Sequence, residues 1–125
     1  MYWNGHGGEN FFKIQDTDLV HSEDLAKVLD EMHLKGLYKE MVLLIDTCEA
    51  LSLFDQITAP NLYLVATSKH DESAIAQDTD PALNNYLSDN FSRDFFDFLT
   101  SPVGYRQKRD FTIKDMERQF PYSMI

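Results

Sequence analysis

Two short polar motifs, each at the end of an apolar stretch, contain residue types that could form a nucleophilic site. The run Gly5–Gly8 (GHGG) carries His6, and the run Ile45–Ala50 (IDTCEA) carries Cys48, the chain's only cysteine. A thiol is a weak nucleophile until its thiolate is formed or stabilised, and a nearby imidazole can do this. The chain between the motifs is long enough for one crossover between neighbouring strands. The pattern therefore predicts a cysteine–histidine site for acyl transfer.

The elements that must position these motifs follow the order of an α/β fold. Apolar runs bounded by polar residues indicate buried strands, and apolar spacings of three and four residues indicate helices. Strands are predicted at Met1–Trp3, Asn10–Gln15 (a hairpin or edge strand), Met41–Ile45 and Leu62–Thr67; helices at Ser22–Gly36 with Ser22 as N-cap, Glu49–Gln56, Phe91–Leu99 and after Thr112; and a loop at Lys69–Asp80. The side chains predicted to face inward are Leu25, Val28, Leu29 and Met32 in the first helix and Ile113, Met116 and Phe120 in the last.

Sites in such sheets gather beyond the carboxyl ends of the strands, where His6, Cys48 and Ser68 all fall. The backbone N–H groups of Gly7 and Cys48 are candidates for an oxyanion hole. A helix that opens at Cys48 would help to stabilise its thiolate. Because few residues precede the first glycine turn, we expect the amino-terminal part of the sheet to be missing from this chain.

Composition limits the class of partner. The 125 residues make one domain or part of one, and the net charge of −10 argues against nucleic acid or an anionic membrane surface. The one basic run, Arg106–Arg109, is short and predicted to be a solvated loop. No signal peptide is visible, and the most apolar run, Met41–Ile45, is too short to span a bilayer.

The same residues also allow simpler interpretations. A lone cysteine is commonly a buried structural residue, and a glycine-rich turn can hold a histidine that does no chemistry. No spacing of His, Cys and Asp matches a zinc site, and the acidic residues between positions 71 and 80 lack the order of an EF-hand loop. We therefore expect no metal and no cofactor.

Beyond the two motifs, the chain resembles the legumain-like cysteine peptidases, and among them the catalytic subunits of glycosylphosphatidylinositol (GPI) anchor transamidases. The blocks that carry the resemblance are Tyr2 with Gly5–Gly8, Phe12–Asp16, Tyr38 with Glu40, Ile45–Cys48, Pro60–Asn61, Asp80–Pro81 and Phe98–Leu99. Legumain proper would carry an Asp-His-Gly turn and a Glu-Ala-Cys-Glu-Ser-Gly nucleophile, which are both absent here. Asn4 departs from a more usual threonine, and Ala76–Thr79 replaces a histidine-containing stretch.

The resemblance implies a caspase-like three-layer α/β sandwich with a mostly parallel sheet. Residues 1–125 would be one partial catalytic domain, truncated at the amino end and also at the carboxyl end. His6 matches the family's catalytic histidine and Cys48 its nucleophile. Asp46 matches a position that lines the primary substrate pocket, and Ser68 matches a position in the pocket wall.

The function implied by the resemblance is transfer of a protein's C-terminal acyl group, through a thioester on Cys48, to the ethanolamine amine of a GPI lipid. Precursor proteins with a C-terminal GPI signal, the GPI lipid and other transamidase subunits would be the partners, at the lumenal face of the endoplasmic reticulum membrane. Two alternatives stay open at this point. The same dyad would serve a legumain-like endopeptidase with water as acceptor, and the chain could be an inactive fragment or an interaction module.

Overall fold

The computed structural model describes residues 1–15, 17–100 and 112–119. Two of the predictions lie outside these residues, namely the solvated loop at Arg106–Arg109 and the inward-facing Phe120. All the candidate site residues lie within them.

The described chain divides into two compact units, residues 1–74 and residues 75–124. In chain order the elements are β1 (Tyr2–Asn4), β2 (Gly7–Gly8), β3 (Phe11–Ile14), β4 (Asp18–His21), α1 (Ser22–Leu34), β5 (Met41–Asp46), a 3₁₀ helix (Ala50–Phe54), β6 (Leu62–Ala66), β7 (Ala76–Asp80), β8 (Asn85–Asp89), α2 (Asn90–Thr100) and α3 (Ile113–Gln119). The first unit combines a parallel sheet with helices in the connections between its strands, which confirms the predicted α/β class.

Strand β5 lies at the centre of a parallel three-stranded sheet in the order β1-β5-β6. The residues of its second half, Leu43–Asp46, are all buried, as expected for an apolar strand with a partner on each side. The register pairs Asn4 with Asp46 and Ile45 with Ala66. The carboxyl ends of the strands therefore meet at one edge of the sheet, and the predicted strands β5 and β6 are confirmed.

Strands β2, β3 and β4 form a small antiparallel sheet just after His6, which confirms the predicted hairpin. Gly7 pairs with Phe12, and the Lys13 N–H donates to the His6 carbonyl oxygen at 2.8 Å. Phe12 is buried, and its ring lies 5.4 Å from that of Trp3 in β1. The antiparallel sheet thereby anchors the backbone of His6 to the parallel sheet.

Helix α1 covers the parallel sheet with a narrower apolar face than predicted. Ser22 is its first residue rather than its N-cap, which is His21 and makes no side-chain capping bond. Val28 is 54% exposed, so its predicted inward position is wrong, whereas Ala26 is 6% exposed. The buried residues Ser22, Leu25, Ala26 and Leu29 keep the three-and-four spacing, and this face does not include Val28. Gly36, with φ of +65°, follows the helix end, as is common for a glycine there.

The core of the first unit lies where α1 and the 3₁₀ helix pack on β5. Leu29, Leu43 and Leu53 come from these three elements and are each 0% exposed. Burying a leucine side chain contributes about 1.5–3 kcal/mol. This packing holds the segment that follows Cys48 against the sheet.

The helix after the cysteine differs from the prediction in type and in start. It is a 3₁₀ helix of five residues, Ala50–Phe54, where an ordinary helix was predicted over Glu49–Gln56. Glu49 has φ of +50°, in the left-handed region, and this conformation separates Cys48 from the helix. The predicted stabilisation of a Cys48 thiolate by amides of a helix that opens there is therefore wrong.

Among its described residues, the second unit contains a β-hairpin followed by two helices. Strands β7 and β8 pair antiparallel, so the loop predicted over Lys69–Asp80 is wrong from Ala76 onward. Helix α2 confirms the predicted helix, with Phe91 buried and Leu99 40% exposed. In α3, Met116 is buried as predicted while Ile113 is 37% exposed. No helix among the described residues has the length and apolar character needed to cross a membrane.

Candidate active site

The two predicted motifs come together at the carboxyl edge of the parallel sheet. The last pair of the β1–β5 register joins Asn4 to Asp46, and the Gly5 N–H donates to the Asp46 carbonyl oxygen at 3.1 Å. His6 follows β1, and Cys48 follows β5, by the same number of residues. The histidine turn (Gly5–Gly8) and the cysteine turn (Thr47–Ala50) therefore begin side by side.

A close contact between Gly7 and Thr47 continues this alignment. A Cβ atom placed on Gly7 would lie 2.6 Å from the Thr47 Oγ1 and 2.8 Å from the Phe11 carbonyl oxygen. Both distances are shorter than real Cβ contacts, so only glycine fits at this position. The residue after His6 thus packs directly on the residue before Cys48.

Ser68 holds the cysteine turn to the end of β6. Its Oγ donates to the Thr47 carbonyl oxygen at 2.6 Å and accepts from the Ala50 N–H at 2.9 Å. The side chain is 2% exposed, and the Leu51 N–H donates to the Ser68 carbonyl oxygen at 3.1 Å. The hydroxyl therefore spans the turn on both sides of Cys48. Its predicted place in a pocket wall stays a prediction.

Asp46 is 1% exposed and lies among polar groups of the neighbouring strand ends. Its Oδ1 accepts from the Thr67 hydroxyl at 2.7 Å, and its Oδ2 accepts from the Asn4 side-chain amide at 3.2 Å. A buried carboxylate needs such donors, because its desolvation is otherwise costly. Asn4, which departs from the family pattern, supplies one of them. The predicted contact of Asp46 with substrate stays a prediction.

The two reactive side chains are open to solvent to different degrees. Cys48 is a free cysteine and half-buried, whereas His6 is exposed. Glu49, next to the cysteine, donates its N–H to the Glu72 carbonyl oxygen at 2.9 Å, which ties the turn to the segment after β6. The cysteine is therefore held in a fixed turn and is only partly covered.

The backbone amides predicted to form an oxyanion hole are those of Gly7 and Cys48. Hydrogen-bonded pairs alternate along an antiparallel ladder, and one such bond joins Lys13 to His6. The Gly7 N–H therefore points away from β3. The Cys48 N–H donates to no acceptor in the described part of the chain. Both amides are free of the ladder that holds the histidine turn, and their use in an oxyanion hole stays a prediction.

Three polar residues of the site escaped the sequence analysis. Thr67 and Ser52 are bonded to Asp46 and to the cysteine turn, respectively, and the Thr47 Oγ1 has no hydrogen-bond partner among the described residues. Ser52 lies in the apolar stretch Ala50–Phe54 (ALSLF), and a small polar residue at a core position was the only signal for it. Hydroxyl contacts of this kind depend on the tertiary fold.

Comparisons with known proteins identify a family for this sequence. The family model for the peptidase C13 family matches residues 1–120. The chain is 35% identical over 99 residues to a putative GPI-anchor transamidase of Drosophila melanogaster, and the match covers 79% of this chain and 28% of the relative. It is 31% identical over 125 residues to the GPI-anchor transamidase of Saccharomyces cerevisiae, covering 100% of this chain and 30% of the relative.

The human GPI-anchor transamidase is 32% identical over 99 residues, which are 79% of this chain and 25% of the human protein. The chain thus spans less than a third of the length of these curated relatives. Because the family match covers nearly all of the sequence, including both turns, the chain belongs to the peptidase C13 family.

Proposed function

We propose that this chain carries the nucleophile and the acid–base group of a cysteine-dependent transamidase. The parallel pairing of β1 with β5 carries this proposal, because its last contacts, from Asn4 and Gly5 to Asp46, start both turns at one place. His6 and Cys48 each follow their strand by two residues, so an exposed histidine and a half-buried cysteine start from paired strand ends. Family membership supports the same roles for His6 and Cys48.

The reaction begins with proton transfer from the Cys48 thiol to the His6 imidazole. The thiolate attacks a carbonyl carbon of the substrate protein, and the resulting oxyanion accepts hydrogen bonds from the Gly7 and Cys48 N–H groups. As the C–N bond breaks, the imidazolium gives its proton to the leaving amine, which leaves a thioester on Cys48. An incoming amine then attacks the thioester, passes its proton to His6 and releases the thiolate.

For the acceptor we propose the ethanolamine amine of a GPI lipid. Three relatives named as GPI-anchor transamidases support it, together with the absence of both legumain motifs from this sequence. Precursor proteins with a C-terminal GPI signal would then be the acyl donors. We further propose that the chain is part of a longer catalytic domain that works with other transamidase subunits at the lumenal face of the endoplasmic reticulum membrane. Asp46 and Ser68 would contribute to the substrate pocket.

A partition assay tests the choice of acceptor. A peptide ester or signal-peptide substrate is incubated with the full protein, with and without hydrazine, and the products are separated by mass spectrometry. We expect acyl hydrazide to replace free acid as hydrazine increases, because the thioester is open to amines. The Cys48→Ser variant is the matched control. It should form both products much more slowly than the unchanged protein does.

Two results would overturn the proposal. Free acid as the sole product at high hydrazine would identify an endopeptidase that uses water. A Cys48→Ser variant as active as the unchanged protein would show that the sulfur takes no part in the reaction, as expected of an inactive fragment or an interaction module.

A further inference from the structure

The histidine turn and the cysteine turn share one buried side chain that belongs to neither motif. Ser52, in the 3₁₀ helix, is 0% exposed. Its Oγ lies 2.7 Å from the Glu49 carbonyl oxygen, 2.8 Å from the Asn10 amide nitrogen and 3.4 Å from the Gly8 carbonyl oxygen. We propose that Ser52 is a positioning residue that keeps the His6 imidazole in place beside the Cys48 sulfur. This inference rests on the proposed function.

The hydrogen bonds of this hydroxyl are fully assigned. A serine hydroxyl has one proton to donate and can accept as well. Ser52 donates to the Glu49 carbonyl oxygen, accepts from the Asn10 N–H, and has the Gly8 carbonyl oxygen as a second, more distant acceptor. Because the side chain is 0% exposed, water cannot replace these bonds when the hydroxyl is removed. Loss of the hydroxyl therefore disconnects two backbone segments.

Those segments lie immediately after the two reactive residues. Glu49 follows Cys48 in the chain, Gly8 follows His6 after one glycine, and Asn10 lies two residues beyond Gly8. On the opposite side, the bond from the Gly5 N–H to the Asp46 carbonyl oxygen joins the segments that precede His6 and Cys48. The two turns are thus linked both before and after their reactive residues. Ser52 supplies the second link.

The exposure of His6 makes this second link important. An exposed ring has little packing to fix it, so its position depends on the backbone of the histidine turn. A displacement of about 1 Å in a reacting group can cost about a hundredfold in rate. Ser68, by contrast, bonds only to the cysteine turn, at Thr47 and Ala50. Removal of the Ser52 hydroxyl should therefore reduce the activation of the Cys48 thiol by the His6 imidazole.

Alkylation of Cys48 tests this coupling without a substrate. The rate of reaction with iodoacetamide near neutral pH is measured for the full protein and for Ser52→Ala, His6→Ala and the double variant. We expect Ser52→Ala to slow alkylation by about tenfold when His6 is present and to have no further effect when it is absent. Ser52→Thr, which keeps the hydroxyl, should recover most of the rate. Ser92→Ala, at a buried serine of the second unit, is the matched control and should leave the rate unchanged.

Equal slowing by Ser52→Ala with and without His6 would overturn the inference, because the serine would then act on the cysteine turn alone. No slowing in either background would overturn it as well. If His6→Ala itself left alkylation unchanged, the proposed dyad would fail, and that outcome is distinguishable from failure of the serine alone.

A measurement on the unsubstituted protein guards against a variant that does not fold. Hydrogen exchange of the Asn10 amide should be slow, because that N–H is bonded to the buried Ser52 hydroxyl. Exchange as fast as that of an unstructured amide would contradict the link.

Discussion

The cysteine turn and the histidine turn meet at one edge of the sheet but are held by different means. Side-chain hydroxyls hold the cysteine turn, since Ser68 and Ser52 both bond to its backbone. The histidine turn is held mainly by backbone hydrogen bonds to Asp46 and Lys13 and by the lack of a side chain at Gly7. A nucleophile must be held in line with the substrate carbonyl, whereas the imidazole must serve two proton transfers, with the sulfur and with an amine. The difference fits these two tasks.

The largest effect should come from substitution of Gly7 by alanine, which disrupts the close packing of the histidine turn. The added methyl would meet the Thr47 Oγ1 at 2.6 Å and the Phe11 carbonyl oxygen at 2.8 Å. We expect a loss of stability of about 1–3 kcal/mol and a fall in acyl transfer of about a hundredfold. Urea unfolding and product formation measure the two effects.

Gly36→Ala is the control for this prediction. Gly36 also has a special conformation, with φ of +65°, but a Cβ there would meet nothing within 4 Å. This variant should lose about 1 kcal/mol of stability and keep its acyl-transfer rate. If Gly7→Ala and the unchanged protein had equal acyl-transfer rates, the Gly7–Thr47 contact would not position the reactive residues.

Ser68→Ala tests the hydroxyl hydrogen bonds that hold the cysteine turn. It would leave the Ala50 N–H and the Thr47 carbonyl oxygen without this partner in a buried place. We expect a loss of about 1–3 kcal/mol in the free energy of unfolding, together with slower alkylation of Cys48. In contrast to Ser52→Ala, the slowing should persist in the His6→Ala background, because Ser68 touches only the cysteine turn. Slowing that disappears without His6 would contradict this distinction.

The sequence predicted the strand that ends before Cys48 but not the contacts that hold the two turns together. The apolar run Met41–Ile45, bounded by polar residues, predicted a buried strand, and the end of that strand predicted the position of Cys48. The partner strand of the histidine was recognised only as a strand end, because three residues carry no periodicity. The hydroxyl bonds of Ser52 and Ser68 arise between segments far apart in the chain, and no local pattern reports them.

The short helix after Cys48 shows a second limit. Its sequence carries apolar residues at helical spacing, which predicted an ordinary helix from Glu49. Glu49 instead bonds to Glu72 and Ser52 and has a positive φ, and a five-residue 3₁₀ helix follows it. Tertiary contacts therefore overrode the local preference at the residue next to the nucleophile.

Thr67→Val should have a smaller effect than Ser68→Ala on the cysteine turn but should still destabilise the sheet edge. The hydroxyl donates to the buried Asp46 Oδ1 at 2.7 Å, and hydrogen bonds to charged groups contribute about 1.5–3 kcal/mol. We expect a loss near the lower end, about 1.5 kcal/mol, since Asn4 still bonds to the other oxygen. Thermal unfolding measures it. Thr58→Val is the control, since that exposed hydroxyl makes a longer bond of 3.4 Å to Asp30, and it should change little.

The smallest effect should come from Thr47→Val, which alters the contact between the cysteine turn and the histidine turn. The Thr47 Oγ1 is buried and has no hydrogen-bond partner among the described residues, so its desolvation is uncompensated. A methyl group of similar size should raise the free energy of unfolding by about 1 kcal/mol. Chemical denaturation measures the change. A loss of stability instead would mean that the hydroxyl is bonded in the native protein.

Cross-linking tests most directly whether the imidazole and the sulfur share one site. The reagent 1,3-dibromoacetone alkylates a thiol and then a second nucleophile within a few ångströms, with loss of two bromides, and peptide mapping by mass spectrometry identifies the joined residues. The account predicts a bridge between Cys48 and His6, which His6→Ala abolishes. A bridge from Cys48 to His21, His33 or His70, or a reagent attached to Cys48 alone while His6 is intact, would contradict it.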